Sequence, residues 1–304
     1  MARKKGGKPT IREVVDGICA GEGCGKVDAL MIYGLRAVLA GMSRMPACYE
    51  HLILKGGTAL HLAIQEPLGR ISTDLDLSLI DATKETFDPR IISDDVAREI
   101  VTVLSEALLD PAQVRISTPM DATAPKHPHL PALYRYRLVV EANLGSPTRT
   151  VANANGFQIE LAVDELVDPT ALEELTVAPH GLPIRMRMYA PVQAIAEKLR
   201  ALLQKHQHYD RTGVAGSFNP RHVLDLLPLS RRMMPEDRAK LRPLFHLKCE
   251  RRQVPPAERT VARMTNAVLR DQVDRSMHPW REQAWALLLQ FAEEVCCEPD
   301  GVSR

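Results

Sequence analysis

A surplus of either charge is missing from this chain: over 304 residues the basic and acidic side chains nearly cancel, leaving a formal charge of +1. That excludes a globally basic nucleic-acid binder, so any surface that meets a polynucleotide has to be local. Long apolar runs are missing too. No stretch approaches the roughly 20 residues that cross a bilayer, and the basic start (Arg3, Lys4, Lys5, Lys8) is not followed by the apolar core of a signal peptide. No membrane partner is expected, and the expected compartment is the cytoplasm. Paired zinc spacings are absent among Cys19, Cys24, Cys48, Cys249, Cys296 and Cys297, and the adjacent Cys296-Cys297 are poorly placed to bridge each other. Reduced thiols are expected. What is left is a globular composition, long enough for one large or two ordinary domains.

The informative stretch is Leu52-Ile53-Leu54-Lys55-Gly56-Gly57-Thr58-Ala59-Leu60, continuing to Arg70-Ile71-Ser72-Thr73-Asp74-Leu75-Asp76-Leu77-Ser78-Leu79. An apolar run ends at two glycines, which are free to take positive φ. Thr58 is placed to cap a helix through its hydroxyl. Leu60, Ala63 and Ile64 then recur at helical spacing until Pro67 and Gly69 stop the helix. From Ile71 the period is two, with Leu75, Leu77 and Leu79 on one face and Asp74 and Asp76 on the other. Two carboxylates at i and i+2 on a strand have Cα atoms roughly 6.5–7 Å apart and can reach one divalent ion. Without a cation they repel and one tends to hold a proton; a bound Mg²⁺ keeps both ionised. The glycine turn opens a helix whose exposed amides favour phosphate. An isolated Asp-x-Asp is most often a solvated strand face, and Gly-Gly an ordinary turn. It is the succession of strand, Gly-Gly-Thr, helix and Asp-x-Asp strand that points to a phosphate cradle beside a metal clamp.

Around this stretch the pattern predicts disorder over 1–10, helices over 11–19 and 27–42, a helix over 93–109 and a surface loop over 117–133. Strands are predicted over 134–142 and 157–163, joined by a loop or hairpin over 145–156, with a last strand over 182–189. Pro191 opens a helix through Ile195, Leu199, Leu202 and Leu203. Beyond it the chain reads as helical to the end, with a linker over 207–219. Arg231, Arg232, Arg238, Lys240, Arg242, Lys248, Arg251 and Arg252 gather with few acids between them. They suit a polynucleotide backbone and equally a solvated helical surface. Trp280 and Trp285 are expected in the core.

Lys55-Gly56-Gly57-Thr58-Ala59-Leu60, followed by Arg70-x-Ser72-x-Asp74-Leu75-Asp76-Leu77, resembles the first motif of the AbiEii/AbiGii-type nucleotidyltransferases, a family of the polymerase-β-like superfamily that includes the MenT toxins. The resemblance extends to Glu197-Lys198-Leu199-Arg200-Ala201-Leu202 and to Asp225-Leu226. It implies an α/β fold followed by α: a polymerase-β-like core with a short mixed sheet over 1–185, then a C-terminal helical domain over 186–304 that closes the nucleotide site. It implies transfer of a nucleoside monophosphate from an NTP to a hydroxyl acceptor, with the tRNA 3′ end as that acceptor, and a toxin with a cognate antitoxin. Asp74 and Asp76 would bind Mg²⁺ or Mn²⁺ together with a third acid from a later strand, for which Glu160 is the candidate and Asp164 the fallback. Gly56, Gly57 and Thr58 would cradle the phosphates, assisted by Arg70 and Ser72. Lys198 would reach the triphosphate, and Asp225 would hold Lys198 or the base. The departures from the family pattern are His222, where an acid is usual, and the length of the linker. A protein acceptor, γ-phosphate transfer and a non-catalytic nucleotide-binding regulator are the competing readings.

Overall fold

Thr10 begins the ordered architecture. Its hydroxyl accepts from Glu13 N (3.2 Å), while Glu13 accepts from Thr10 N (2.8 Å), closing a capping box at the start of α1 (Ile11–Glu22). Lys8 donates to Ser105 O and Leu109 N donates to Pro9 O, so residues 8–10 are held in place, against the expectation of disorder there. The structure, a computed structural model, describes residues 7–64, 72, 74–80, 87–110, 113–117, 120–123, 132–143, 150–152, 157–214 and 218–297. The rest of the predicted N-terminal disorder lies outside these residues.

By its contacts the chain divides into two units. Among the described residues the first runs to Met188, except that Asp168–Leu172 belongs to the second, which continues from Tyr189. The first unit is a mixed sheet backed by helices. Its strands are β1 (Leu52–Lys55), β2 (Leu75–Leu79), β3 (Gln113–Ile116), β4 (Met120–Thr123), β5 (Leu133–Asn143), β6 (Thr150–Ala152), β7 (Phe157–Ala162), β8 (Leu172–Val177) and β9 (Ile184–Tyr189). Seven lie in the order β3-β5-β7-β2-β1-β9-β8, while β4 and β6 also pair with β5. Strand β1 is antiparallel to β2 and parallel to β9, and β2 is parallel to β7.

Period-two alternation decides which face is covered. Leu52, Leu54, Leu75, Leu77, Leu79, Ile159 and Leu161 are all buried, in one core with α1, α2 (Lys26–Ser43) and α5 (Ala97–Ala107). Each such fully buried leucine contributes about 1.5–3 kcal/mol. Helix α2 lies so close to β5 that a Cβ on Gly34 would fall 2.3 Å from Val140 Cγ2, a separation only glycine permits. The opposite face of the sheet carries Lys55, Asp76, Ser78, Glu160 and Arg135.

The second unit is helical. Pro191 starts α6 (Pro191–Thr212), which ends at Gly213 in the left-handed region (φ 67°). Ile195, Leu199, Leu202 and Leu203 are buried, and α6 packs on α9 (Leu241–Arg251). Between them in sequence lie α7 (Arg221–Leu224) and α8 (Leu226–Arg232), and α12 (Arg281–Cys296) is the last helix among the described residues. Among the described residues no helix is long and apolar enough to cross a membrane.

Several local expectations are corrected. The predicted loops over 117–133 and 145–156 contain β4 and β6, and β3 and β8 appear where no strand was expected. The first half of the predicted linker is helix, since α6 persists to Thr212. Lys248 and Arg252 are buried, so the C-terminal basic cluster is not a continuous surface. Trp280 and Trp285 are only partly buried; the apolar side of α12 is made by Leu288, Phe291 and Val295. The cysteines are free, as expected.

Candidate active site

Register brings four charged residues into one rank across this second face of the sheet. Lys55 on β1 is opposite Asp76 on β2, Asp76 is opposite Glu160 on β7, and Glu160 is opposite Arg135 on β5. Neighbouring strands are about 4.8 Å apart, so two acids stand side by side between two cations. Arg135 Nε donates to Glu160 Oε1 at 2.9 Å. Lys55 donates to Glu165, which is buried just beyond the end of β7 and also accepts from Ser78 Oγ at 2.8 Å.

Burial pushes the Asp76 carboxyl up to about 6; Lys55 opposes the shift, while Glu160, Asp74 and Glu165 add to it. Gly56 explains how Asp76 reaches its position. Its φ is +74°, and a Cβ there would fall 2.1 Å from Asp76 Oδ2, so both the backbone and the carboxylate require glycine. Asp74, at the mouth of β2, is exposed.

Thr58 is not the helix cap that its position in the sequence suggests. Helix α4 (Gly56–Ile64) already includes both glycines, and Thr58 Oγ1 instead donates to the carbonyl oxygen of Asp74 (2.6 Å) and contacts Ser72 Oγ (3.0 Å). The threonine ties the glycine helix to the start of the acidic strand. Gly57 lies in the first turn of α4. Arg70 lies outside the described residues. Asp164 follows β7, off the strand, and its carboxylate accepts from Ala132 N at 3.1 Å.

In the second unit Lys198 Nζ donates to Asp225 Oδ2 at 2.6 Å, with both side chains largely buried. Asp225 sits where α7 passes into α8. Glu197, one residue before Lys198 and so about 100° round the helix, pairs with Arg200 and with Lys248 (3.2 Å). Burial first, and the Lys198 charge second, press the His222 ring down to about 3, so it stays neutral.

Lys55, Glu165 and Arg135 were not singled out from the sequence. Glu165 falls past the end of its strand, where alternation carries no information. Lys55 and Arg135 become visible only when register sets them beside the acids.

Among the described residues no three acidic, histidine or cysteine side chains stand close enough to enclose an ion. Mg²⁺-like ions commonly take one or two carboxylates and complete their shell with substrate phosphate and water. The hard oxygen donors of Asp74 and Asp76 suit such an ion.

Helix α4, which opens with the two glycines, packs against the acidic strand β2. The family model described as "Nucleotidyl transferase AbiEii toxin, Type IV TA system" matches residues 39–290, and the chain belongs to that family. It is a nucleotidyltransferase. No curated protein matches. Among solved structures it is similar to one titled as an antigenic nucleotidyltransferase-like protein from Paracoccidioides brasiliensis, at 15% identity over 74% of this chain and 92% of that one, with a TM-score of 0.33.

Proposed function

We propose that the protein transfers a nucleoside monophosphate from an NTP to the 3′ hydroxyl of tRNA, as the toxin of a pair with a cognate antitoxin, in the cytoplasm. The family supports nucleotidyl transfer and a toxin–antitoxin setting. The observation that carries the site assignment is the rank in which Asp76 and Glu160 stand side by side, with Asp76 against Gly56.

In this reading Asp74 and Asp76 hold the divalent metal, Mg²⁺ or Mn²⁺, and Glu160 is the third carboxylate. When bound, the metal neutralises triphosphate charge and makes the acceptor hydroxyl more acidic. The backbone of Gly56 and Gly57 receives phosphate oxygens. Thr58 holds the acidic strand to the glycine helix, and Ser72 and Arg70 assist at the phosphates. Lys198, kept in place by Asp225, supplies a compact positive charge to the triphosphate as negative charge moves onto the departing pyrophosphate. Glu160 takes the acceptor proton once Arg135 yields its hydrogen bond.

The test incubates the protein with each NTP, labelled at the α- or the γ-phosphate, against total tRNA and against protein. Label from the α-position in tRNA is the expected result. Alpha label in protein moves the acceptor to a polypeptide, γ label alone makes the reaction a phosphotransfer, and binding without transfer leaves a regulator.

A further inference from the structure

Lys55 stands directly opposite Asp76 across the antiparallel β1–β2 pair. Facing side chains in such a pair have Cβ atoms about 5 Å apart, and opposite charges placed there ordinarily join. Here they do not. Among the described residues Asp76 has no ion-pair partner, and the Lys55 ammonium is bonded instead to Glu165 Oε2. The same carboxylate oxygen accepts from Ser78 Oγ at 2.8 Å. Ser78 follows Asp76 by two residues on β2 and so shares its face of the strand. One acid thus takes a donor from each of two strands that carry the site. It is deeply set, with 4% of its side chain exposed against 15% for Lys55.

Stability alone does not account for Glu165. A buried ion pair gains little over apolar side chains of the same volume, because both charges have to leave water. Glu165 also adds negative charge where acids are already crowded. The rank of Lys55, Asp76, Glu160 and Arg135 is formally balanced, and Glu165 tips its surroundings toward a cation from solution. Its second effect is on Lys55. With Glu165 gone, the acid that faces the ammonium is Asp76, and a lysine bonded there would stand in the place of that cation.

We infer that Glu165 is a positioning residue for the metal: it holds the Lys55 ammonium, keeps that charge off Asp76 and leaves the carboxylate open to a divalent ion. The inference rests on the reading of Asp74 and Asp76 as metal ligands.

Mn²⁺ binding to the full chain, without nucleotide, is followed by loss of the free ion's electron paramagnetic resonance signal. The natural chain is compared with Lys55→Met, Glu165→Gln and the double variant. Glu165→Gln should weaken Mn²⁺ binding about tenfold or more, since a lysine released onto Asp76 opposes the ion at close range. Adding Lys55→Met to Glu165→Gln should recover about tenfold, while Lys55→Met in the natural chain should gain about threefold or less; residues that act through each other are non-additive in this way. A Glu165 that serves packing alone gives no such coupling. An equal gain from Lys55→Met in both backgrounds overturns the inference, as does unchanged affinity in Glu165→Gln; in either case the metal assignment stands. A natural chain that binds no Mn²⁺ defeats the metal assignment, and the inference with it. If circular dichroism shows Glu165→Gln unfolded, Glu165→Asp, which draws the carboxylate back by one methylene, takes its place and the same outcomes decide.

Discussion

Asp76 is held at a tension that a single substitution releases. Its folded carboxyl titrates near 6 against an ordinary 3.8. An acid raised in this way favours the folded state fully below its unfolded pKa, and that contribution is lost as pH climbs through the folded value. In EDTA, Asp76→Asn is therefore expected to match the natural protein near pH 4 and to exceed it by about 1–3 kcal/mol at pH 7, while losing transfer altogether. Urea unfolding at the two pH values checks this; an asparagine variant less stable at pH 7 contradicts it. Asp74 and Asp76 were legible because alternation separates them from Leu75 and Leu77, and Glu160 because it falls on the polar phase of its own strand. Thr58 misled because a threonine at the head of a helix resembles a cap. Its true partner, the Asp74 carbonyl, lies sixteen residues on and is brought close only by the fold.

Among the elements, α2 shows how one small residue sets a whole layer. A side chain at Gly34 has nowhere to go but into Val140. Gly34→Val is expected to destabilise by about 1–3 kcal/mol through overpacking, read from the urea midpoint with an unchanged slope. Gly34→Val together with Val140→Ala should recover part of the loss. The long elements were readable because their apolar residues repeat over many turns or over a full strand. The short strands β3, β4 and β6 were not, since three or four residues give too few repeats to separate a strand from a loop. Strand β8 was missed for another reason: its alternation is weak, with only Leu175 fully covered, because it lies at the rim of the sheet.

For the whole molecule, ligand and metal are expected to act together. An NTP with Mg²⁺ or Mn²⁺ should raise the unfolding temperature, since binding only the native state at a hundredfold excess over Kd adds about 2.7 kcal/mol. EDTA should remove most of that gain and all transfer, while the ligand-free unfolding temperature stays where it was. Differential scanning calorimetry with and without chelator measures both, and transfer that persists in EDTA contradicts the metal assignment. The two-part layout was visible in the switch from mixed to purely helical periodicity. The excursion of Asp168–Leu172 into the second unit was not, because its ties run through the buried Gln193 side chain, which accepts from Asp168 N and donates to Ala171 O.

The parallel partnership of β1 with β9 also has a bearing on synthesis. The strand that leads into the glycine helix is the fifth along the path from β3, and its neighbour on the far side is the last strand in sequence among the described residues. A chain still on the ribosome, or one released early, leaves that edge bare until residues 184–189 emerge. Lys198, which we propose meets the triphosphate, comes later still. Copies cut short before residue 184 lack both that strand and Lys198, and are expected to carry out no transfer.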